Sequence, residues 1–172
     1  MSNIKSFIEE LDDFPKEVEA SLKRVIVKTT EKTLHRVLDM TLNESFFADK
    51  PAVWTGDYLS SHYLVVNAAL HPTVHTDLSD DIPREISQAE AHLMATQTYN
   101  FERTKLLGLD SPYALIRISN DLDYAELIEK GGVRGRPSGR VLALAPRPIY
   151  AKAKAFAARQ LTKELAKENA KK

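Results

Sequence analysis

A long amphipathic segment constrains this chain more than any other feature. Between Pro15 and Leu42, apolar and threonine side chains recur at three- and four-residue spacing, while charged side chains fall mostly on the opposite face. That periodicity predicts an α-helix with one face in a core. The positions of this face are Val18, Leu22, Val25, Ile26, Thr29, Thr33, Val37 and Met40. Such a helix spans roughly 40 Å, more than a small domain's diameter, so one end is expected to protrude or to pack on a neighbour.

The residues ahead of this helix are predicted to form a separate element. Residues 1–14 read as an N-terminal arm or short helix, with an apolar side formed by Ile4, Phe7, Ile8 and Leu11. The sequence Asp12-Asp13-Phe14-Pro15 is expected to break it and to restart a helix. Proline suits the first position of a helix because the N–H that it lacks has no partner there.

Strand and helix patterns alternate over the rest of the chain. Strands are predicted from runs rich in β-branched and aromatic residues, at His62–Leu70, Pro112–Ile118 and Val141–Leu144. Two further helices are predicted over Pro83–Leu107, ended by Gly108, and from Pro146 or Pro148 through Leu165. Residues 43–61 and 131–140 read as loops, 124–130 as a short helix or a strand, and 166–172 as a frayed basic tail.

This order of elements predicts one α+β domain over residues 1–172. The expected architecture is a small antiparallel sheet of three to four strands, packed with the long N-terminal helix, the middle helix and the C-terminal helix. The chain has no cysteine, which excludes disulfide frameworks, thiolate zinc sites and cysteine nucleophiles. No apolar run approaches the ~20 residues of a membrane helix. The N-terminus has no signal-peptide core, so a reducing cytoplasm, or a particle assembled there, is the expected location.

The net charge of zero conceals a strong asymmetry. Residues 1–129 hold 12 basic and 22 acidic side chains, a net of −10, whereas residues 130–172 hold 12 basic and 2 acidic side chains, a net of +10. The two acids of this basic block are Glu164 and Glu168. Blocks of opposite sign favour pairing within the chain or head-to-tail pairing between copies. A solvated basic tail and contact with nucleic acid are the other interpretations.

The sequence offers little that resembles catalytic or cofactor chemistry. It has no phosphate-binding P-loop, no dinucleotide fingerprint and no Gly-x-Ser-x-Gly elbow. His71 and His75 are four residues apart, but Pro72 between them argues against a shared helical face for a metal. His62 and His92 are interpreted as sheet-edge and helix side chains rather than as a catalytic pair. No cofactor, no metal and no enzymatic activity are therefore expected.

The Gly/Arg-rich loop 131–140 is the segment most suited to binding. Arginine forks suit phosphates and carboxylates equally well, and glycines let a backbone approach a partner closely. An exposed hairpin tip, a DNA-facing loop and a contact with acidic patches of another subunit all fit, and the subunit contact is favoured. The candidate contact residues are Arg134, Arg136, Arg140 and Arg147.

A series of short motifs then carries a family resemblance. The sequence PAVWTGDYLSSH follows the long helix and contains Thr55-Gly56. Later come Ile118-Ser119-Asn120, Tyr124-Ala125, Glu129-x-Gly131, Pro137-Ser138-Gly139 and Ala145-Pro146-Arg147-Pro148. In this order, over residues 15–165, the chain resembles the neck and tail-completion proteins of long-tailed double-stranded DNA phages, also described as head–tail joining proteins or putative tail components.

The resemblance implies a structural virion protein. Such proteins form a homo-oligomeric ring at the neck, between the head connector or its portal-side adaptor and the tail terminator or tail-tube proteins. The ring surrounds the channel that double-stranded DNA crosses, so DNA contact is also expected, and assembly takes place in the host cytoplasm. The matched positions with expected roles in the fold are Thr55, Gly56, Asn120, Tyr124, Glu129 and Gly131.

The alternative interpretation is a stand-alone nucleic-acid-binding or regulatory module. Its support is the +10 block at residues 130–172. Against it stands the net of −10 on the rest of the chain, which repels a polyanion over much of the surface.

Overall fold

The fold is seen in a computed structural model that describes residues 2–43, 45–47, 50–51, 56–67, 86–122, 125–135, 141–144 and 146–171. Its helices are α1 Ser2–Asn43, α2 Asp57–Ser60, α3 Gln88–Arg103, α4 Ala125–Lys130 and α5 Ile149–Asn169. Its strands are β1 Ser45–Phe47, β2 Lys50–Pro51, β3 His62–Val66, β4 Ile116–Asn120, β5 Gly132–Gly135 and β6 Val141–Leu144. The α+β class is confirmed, with helix predominating.

The N-terminal helix is longer than predicted. α1 is continuous from Ser2 to Asn43 and contains Pro15, so the expected break between residues 1–14 and the long helix is wrong. An interior proline removes one backbone hydrogen bond. Strong helix formers lie on both sides of it in the sequence EELDDFPKEVEASLK, and an exposed Lys16–Asp13 ion pair of 2.7 Å joins the adjoining turns.

α5 packs antiparallel against α1 along much of its length. Ile149 and Ala153, near the start of α5, share a core cluster with Met40 and Val37, near the end of α1. The predicted C-terminal helix is confirmed, and it extends beyond residue 166, where the sequence predicts a frayed tail. α5 continues to Asn169, because the buried Glu168 is held by an ion pair to α1.

The strands form three separate pairs among the described residues. β3 pairs with β4 in an antiparallel register from His62↔Asn120 to Val66↔Ile116. β1 with β2 and β5 with β6 form two further antiparallel pairs. The predicted sheet of three to four strands is therefore not found in this part of the chain.

The predicted loops contain short regular elements that sequence patterning did not indicate. Residues 43–61 include β1, β2 and α2, and the first half of the loop 131–140 is strand β5. β5 has the sequence GVRG, which lacks the run of apolar residues that predicts a strand. It forms a strand by antiparallel pairing with β6. The undecided segment 124–130 contains helix α4.

α3 and β4 begin later than predicted. Ser87 caps α3: its hydroxyl accepts from the N–H of Glu90, whose side chain accepts from the N–H of Ser87. α3 ends at Arg103 and a 3-10 turn follows over Thr104–Leu106. The residues ahead of Ile116 form turns, with Ala114 N–H donating to the carbonyl of Ser111, so β4 is shifted toward Asn120.

Two buried clusters lie on different sides of α1. The first joins α1 to α2, β3, α3 and the 3-10 turn through Leu34, Leu38, Leu59, Leu64, Ala91, Ala95 and Leu106. The second joins α1 to α2, α4 and α5 through Val37, Met40, Tyr58, Ile128, Ile149 and Ala153. The second cluster uses Val37 and Met40 of the apolar face predicted for α1, whereas Leu34 and Leu38 of the first cluster lie outside that predicted face, so α1 is buried on two sides.

Candidate functional site

Two of the motif residues, Asn120 and Glu129, bond beside the second core cluster, whereas Gly56 lies against Met94 and Ile86 at the first. Gly56 is the N-cap of α2 and adopts the left-handed conformation, φ 81°. Asn120 ends β4: its side-chain amide donates to the carbonyl of Tyr58 at 2.8 Å, and its side-chain oxygen accepts from Leu122 N–H at 3.1 Å. The carboxylate of Glu129 accepts from the backbone N–H of Tyr150 at 2.9 Å. These residues tie α2, β4 and α4 to the start of α5.

A buried histidine lies at the centre of this region. His62 is 1% exposed, and its Nε2 lies 3.0 Å from Thr41 Oγ1 on α1. Its Nδ1 lies 2.7 Å from the hydroxyl of Tyr150 on α5. Tyr58 contacts the imidazole edge-on, with ring centroids 4.9 Å apart. One side chain therefore connects β3 with α1, α2 and α5.

The hydrogen bonds of this network define the state of the imidazole. The Thr41 hydroxyl donates to the carbonyl of Val37 at 2.9 Å, so its oxygen is left to accept from His62 Nε2–H. Tyr150 then donates to Nδ1. Burial lowers the pKa of His62 to about 3, and burial raises the pKa of Tyr150 well above its usual range. Both side chains are therefore neutral at physiological pH, and their role is to join elements.

This network is not apparent from the sequence. The sequence predicts a sheet-edge side chain at His62 and does not indicate that the residue is among the most buried in the structure. Two weak signals exist, since Thr41 lies four residues after Val37 on α1, and His62 lies two residues before the buried Leu64 on β3. Neither pattern indicates that Tyr150 of α5 is the partner of His62.

The structure describes two of the four candidate arginines, Arg134 and Arg147, and they lie in different elements. Arg134 lies on β5 in register with Leu142, whereas Arg136 and Arg140 lie outside the described residues, as do Thr55 and Tyr124. Arg147 lies just ahead of α5 and is half-buried. Its backbone N–H donates to the carbonyl of Ile128 at 2.7 Å, and its buried Nε has no hydrogen-bond partner among the described residues. Gly131, with φ 71°, turns the chain from α4 into β5.

Two buried carboxylates fasten α5 to α1. Glu168 accepts from Arg24 Nε at 2.7 Å and from Nη2 at 2.5 Å, and Glu164 accepts from Lys32 Nζ at 2.6 Å. Lys167 and Lys171 also contact these carboxylates from within α5. The resulting hydrogen bonds lower the pKa of both glutamates to about 2.

These ion pairs leave the charge asymmetry in place. The two carboxylates are the sole acids of the basic block, and their partners Arg24 and Lys32 belong to the acidic block. The basic block is therefore not neutralised by acids of α1 at this interface. Among the described residues Lys154, Arg159 and Lys163 have no ion pair, and all three are exposed on α5.

The described part of the chain shows no gathered metal ligands. Within it, no group of three or more histidine, aspartate or glutamate side chains is arranged to hold a metal ion. None of the helices that the structure describes combines the length and the apolar character needed to cross a bilayer. Comparisons of the chain with protein-family models, with curated proteins and with solved structures gave no match. The resemblance to phage neck proteins therefore remains a prediction.

Proposed function

We propose that the chain is a structural subunit of a phage virion, a ring-forming neck or tail-completion protein that joins the head connector to the tail tube. The motif series supports this proposal, since Gly56 begins α2, Asn120 joins β4 to α2, and Glu129 joins α4 to the start of α5. No side-chain arrangement for catalysis is needed for such a role. The subunit acts by binding its copies and its neighbours in the particle.

The observation that carries the proposal is the positive charge on Lys154, Arg159 and Lys163 of α5, which no ion pair among the described residues compensates. The α1–α5 interface uses both acids of the basic block, and exposed cations remain on α5. The first 129 residues retain a net of −10. Opposite charge on different parts of one chain favours a heterologous, head-to-tail contact, and such a contact generates a ring when its rotation closes.

Charge reversal on α5 tests the ring directly. Arg159→Glu with Lys163→Glu changes the net charge by −4 without touching a described ion pair. Lys16→Glu with Arg103→Glu is the control, because it makes the same charge change on exposed positions of α1 and α3, and the Lys16–Asp13 pair that it removes is exposed on both sides and contributes little. We expect rings of discrete size for the wild type and the control, by sedimentation velocity and negative-stain microscopy, and smaller species for the α5 variant.

Two results would contradict the proposal. A wild-type protein that is monomeric at every protein and salt concentration argues against a self-formed ring. Absence of the chain from purified tailed particles of the strain that encodes it, measured by mass spectrometry, argues against a place in the virion.

The exposed cations of α5 also support the second candidate, a nucleic-acid-binding or regulatory module. Lys154, Arg159 and Lys163 have no ion pair among the described residues and can approach phosphates. A gel shift with duplex DNA separates the two candidates. Tight, salt-dependent binding by a monomer favours the module, whereas rings that bind DNA weakly favour the neck protein.

A further inference from the structure

Among the strands that the structure describes, β4 pairs on one edge, with β3. The backbone N–H and C=O of Leu64 on β3 point away from β4. The N–H donates to Glu102 Oε2 at 2.5 Å, and the carbonyl accepts from Lys105 Nζ at 3.2 Å. Ile118, the register partner of Leu64, is therefore in a non-hydrogen-bonded pair, and the N–H and C=O of Ile118 point to the opposite edge of β4. Among the described residues no strand pairs with that edge.

The two outer edges of the β3–β4 pair differ in their hydrogen bonding: side chains bond to the backbone of β3 at its outer edge. Glu102 and Lys105, which lie 2.7 Å apart, close the outer edge of β3 with a carboxylate and an ammonium group. Glu102 is 4% exposed, so the hydrogen bond that it accepts from Leu64 is buried. An unprotected edge is a template for another strand, and proteins commonly block it. Here the β3 edge is blocked by α3, and no comparable contact from the described residues covers the β4 edge.

A groove of about 440 Å³ runs along the open edge of β4. Four consecutive residues of β4 line it, and since neighbouring side chains of a strand point to opposite faces, the groove follows the edge rather than one face. Its other wall is made by side chains of α1 and α5, among them three threonines and two alanines. The lining residues are Thr29, Thr30, Thr33, Val37, Ile116, Arg117, Ile118, Ser119, Tyr150, Ala153, Lys154 and Ala157.

The groove combines unused hydrogen-bonding capacity with positive charge. The Thr29 hydroxyl is buried and has no hydrogen-bond partner among the described residues. Arg117 and Lys154 are exposed at the groove, and neither forms an ion pair within the described part of the chain. The lining contains no aspartate or glutamate. The site therefore suits a ligand with backbone-like donors and acceptors and with negative charge.

We propose that this groove binds an extended, acidic segment of a partner protein, which adds to β4 as an antiparallel or parallel strand. Backbone hydrogen bonds along five residues, about 17 Å of strand, supply the affinity. Arg117 and Lys154 select acidic side chains over basic ones. Strand β5 of a second copy fits less well, because its sequence GVRG contains a cation and no acidic residue. The inference holds whether or not the proposed ring forms.

Binding of model peptides to the full-length protein tests the strand addition. The probes are fluorescein-labelled seven-residue peptides in which valine alternates with aspartate, or with lysine as the charge control. A third peptide carries the aspartate sequence with N-methyl groups on alternate amides, which remove the ladder hydrogen bonds. We expect the aspartate peptide to bind at least tenfold more tightly than either control, by fluorescence anisotropy.

Variants and hydrogen exchange complete the test. Arg117→Glu with Lys154→Glu should reverse the preference toward the lysine peptide, while Lys16→Glu with Arg103→Glu should leave it unchanged. Thermal unfolding by circular dichroism confirms that each variant is folded.

Bound aspartate peptide should slow amide exchange at Ile116 and Ile118. Equal binding of the three peptides, or no slowing at β4, would overturn the proposal, as would β4 amides already protected by self-association without peptide.

Discussion

At the scale of single residues, the structure depends on a few side chains that connect distant elements. His62 is the clearest case, since its ring joins Thr41 of α1 to Tyr150 of α5 from a position on β3. Asn120 acts similarly between β4 and Tyr58. Buried polar groups of this kind are costly when one partner is lost, because the remaining group keeps its desolvation penalty. These residues should therefore be sensitive to substitution.

His62 makes folding stability depend on pH in the weakly acidic range. Its pKa is about 3 in the folded protein, against 6.5 when exposed, so below about pH 6.5 the unfolded chain binds the proton and is favoured. Stability is thus full above that pH and falls on acidification by up to about 1.4 kcal/mol per pH unit. Urea unfolding of the wild type between pH 7 and about pH 5 should show this slope.

Replacement of the histidine isolates its contribution. We expect His62→Gln to lower the free energy of unfolding by about 1–3 kcal/mol at pH 7, since the network loses part of its bonding. The same variant should have a flatter pH dependence above about pH 5, where the glutamates of α5 are still ionised. The exposed His92 provides the control, because His92→Gln should leave the slope as in the wild type. An unchanged slope in His62→Gln would contradict a buried, neutral imidazole.

Gly56 should be intolerant of a side chain. Its φ of 81° is unfavourable for other residues, and an added Cβ would lie 2.6 Å from Met94 Cε and 3.2 Å from Ile86 Cδ1. The methionine tip can move, so the backbone strain sets most of the cost, about 1–3 kcal/mol. Gly108→Ala is the matched control, because a Cβ there meets nothing within 4 Å. Equal melting temperatures for the two alanine variants would refute this reasoning.

At the scale of elements, the sequence predicted what repeats locally and missed what depends on distant partners. The helices α1, α3 and α5 were predicted because their apolar faces recur along the chain. The break at Pro15 was wrong, since one proline does not outweigh a long run of helix-forming residues. The burial of His62 depends on residues 21 and 88 positions away, which no local pattern contains. The open edge of β4 could not be predicted either, because it depends on which strands do not pair.

The α1–α5 pairing should weaken in acid, in a lower pH range than the His62 effect. The pKa values of Glu164 and Glu168 are about 2 in the folded state, below the usual 4.5, because Lys32, Lys167, Lys171 and Arg24 bond to their ionised forms. Their contribution is therefore complete above about pH 4.5 and is lost as the pH falls toward 2.

Amide substitution tests this element-level contact. Glu164→Gln with Glu168→Gln should lower the urea midpoint at pH 7 and flatten the pH dependence of unfolding between about pH 4.5 and pH 2. Glu126→Gln serves as the comparison, because the Glu126–Lys130 pair is exposed on both sides and surface pairs contribute little. If both substitutions change the midpoint equally, the buried pairs do not fasten α5 to α1.

At the scale of the whole molecule, charge is separated along the chain, and acids of α1 do not neutralise the basic block at the α1–α5 interface. The α1–α5 interface pairs the two acids of the basic block, Glu164 and Glu168, with two bases of the acidic block, Lys32 and Arg24. These pairs therefore use the minority charge of the basic block and leave its excess of positive charge unpaired there. Apolar clusters on two sides of α1 hold the fold together. Stability and self-association should therefore respond differently to salt, since burial supports the first and exposed charge the second.

Self-association should accordingly weaken with salt while the fold persists. Raising the salt concentration from about 0.1 M to about 1 M shortens the screening length from ~10 Å to ~3 Å, which removes attraction between exposed charges of different subunits. Sedimentation velocity should show smaller species at the higher concentration, with an unchanged far-ultraviolet circular dichroism spectrum. The Arg159→Glu, Lys163→Glu variant should lack this salt response, because the cations that carry it are gone. Rings whose mass is insensitive both to salt and to this variant would place the contact between subunits on apolar surface, and the exposed cations of α5 would then serve another partner.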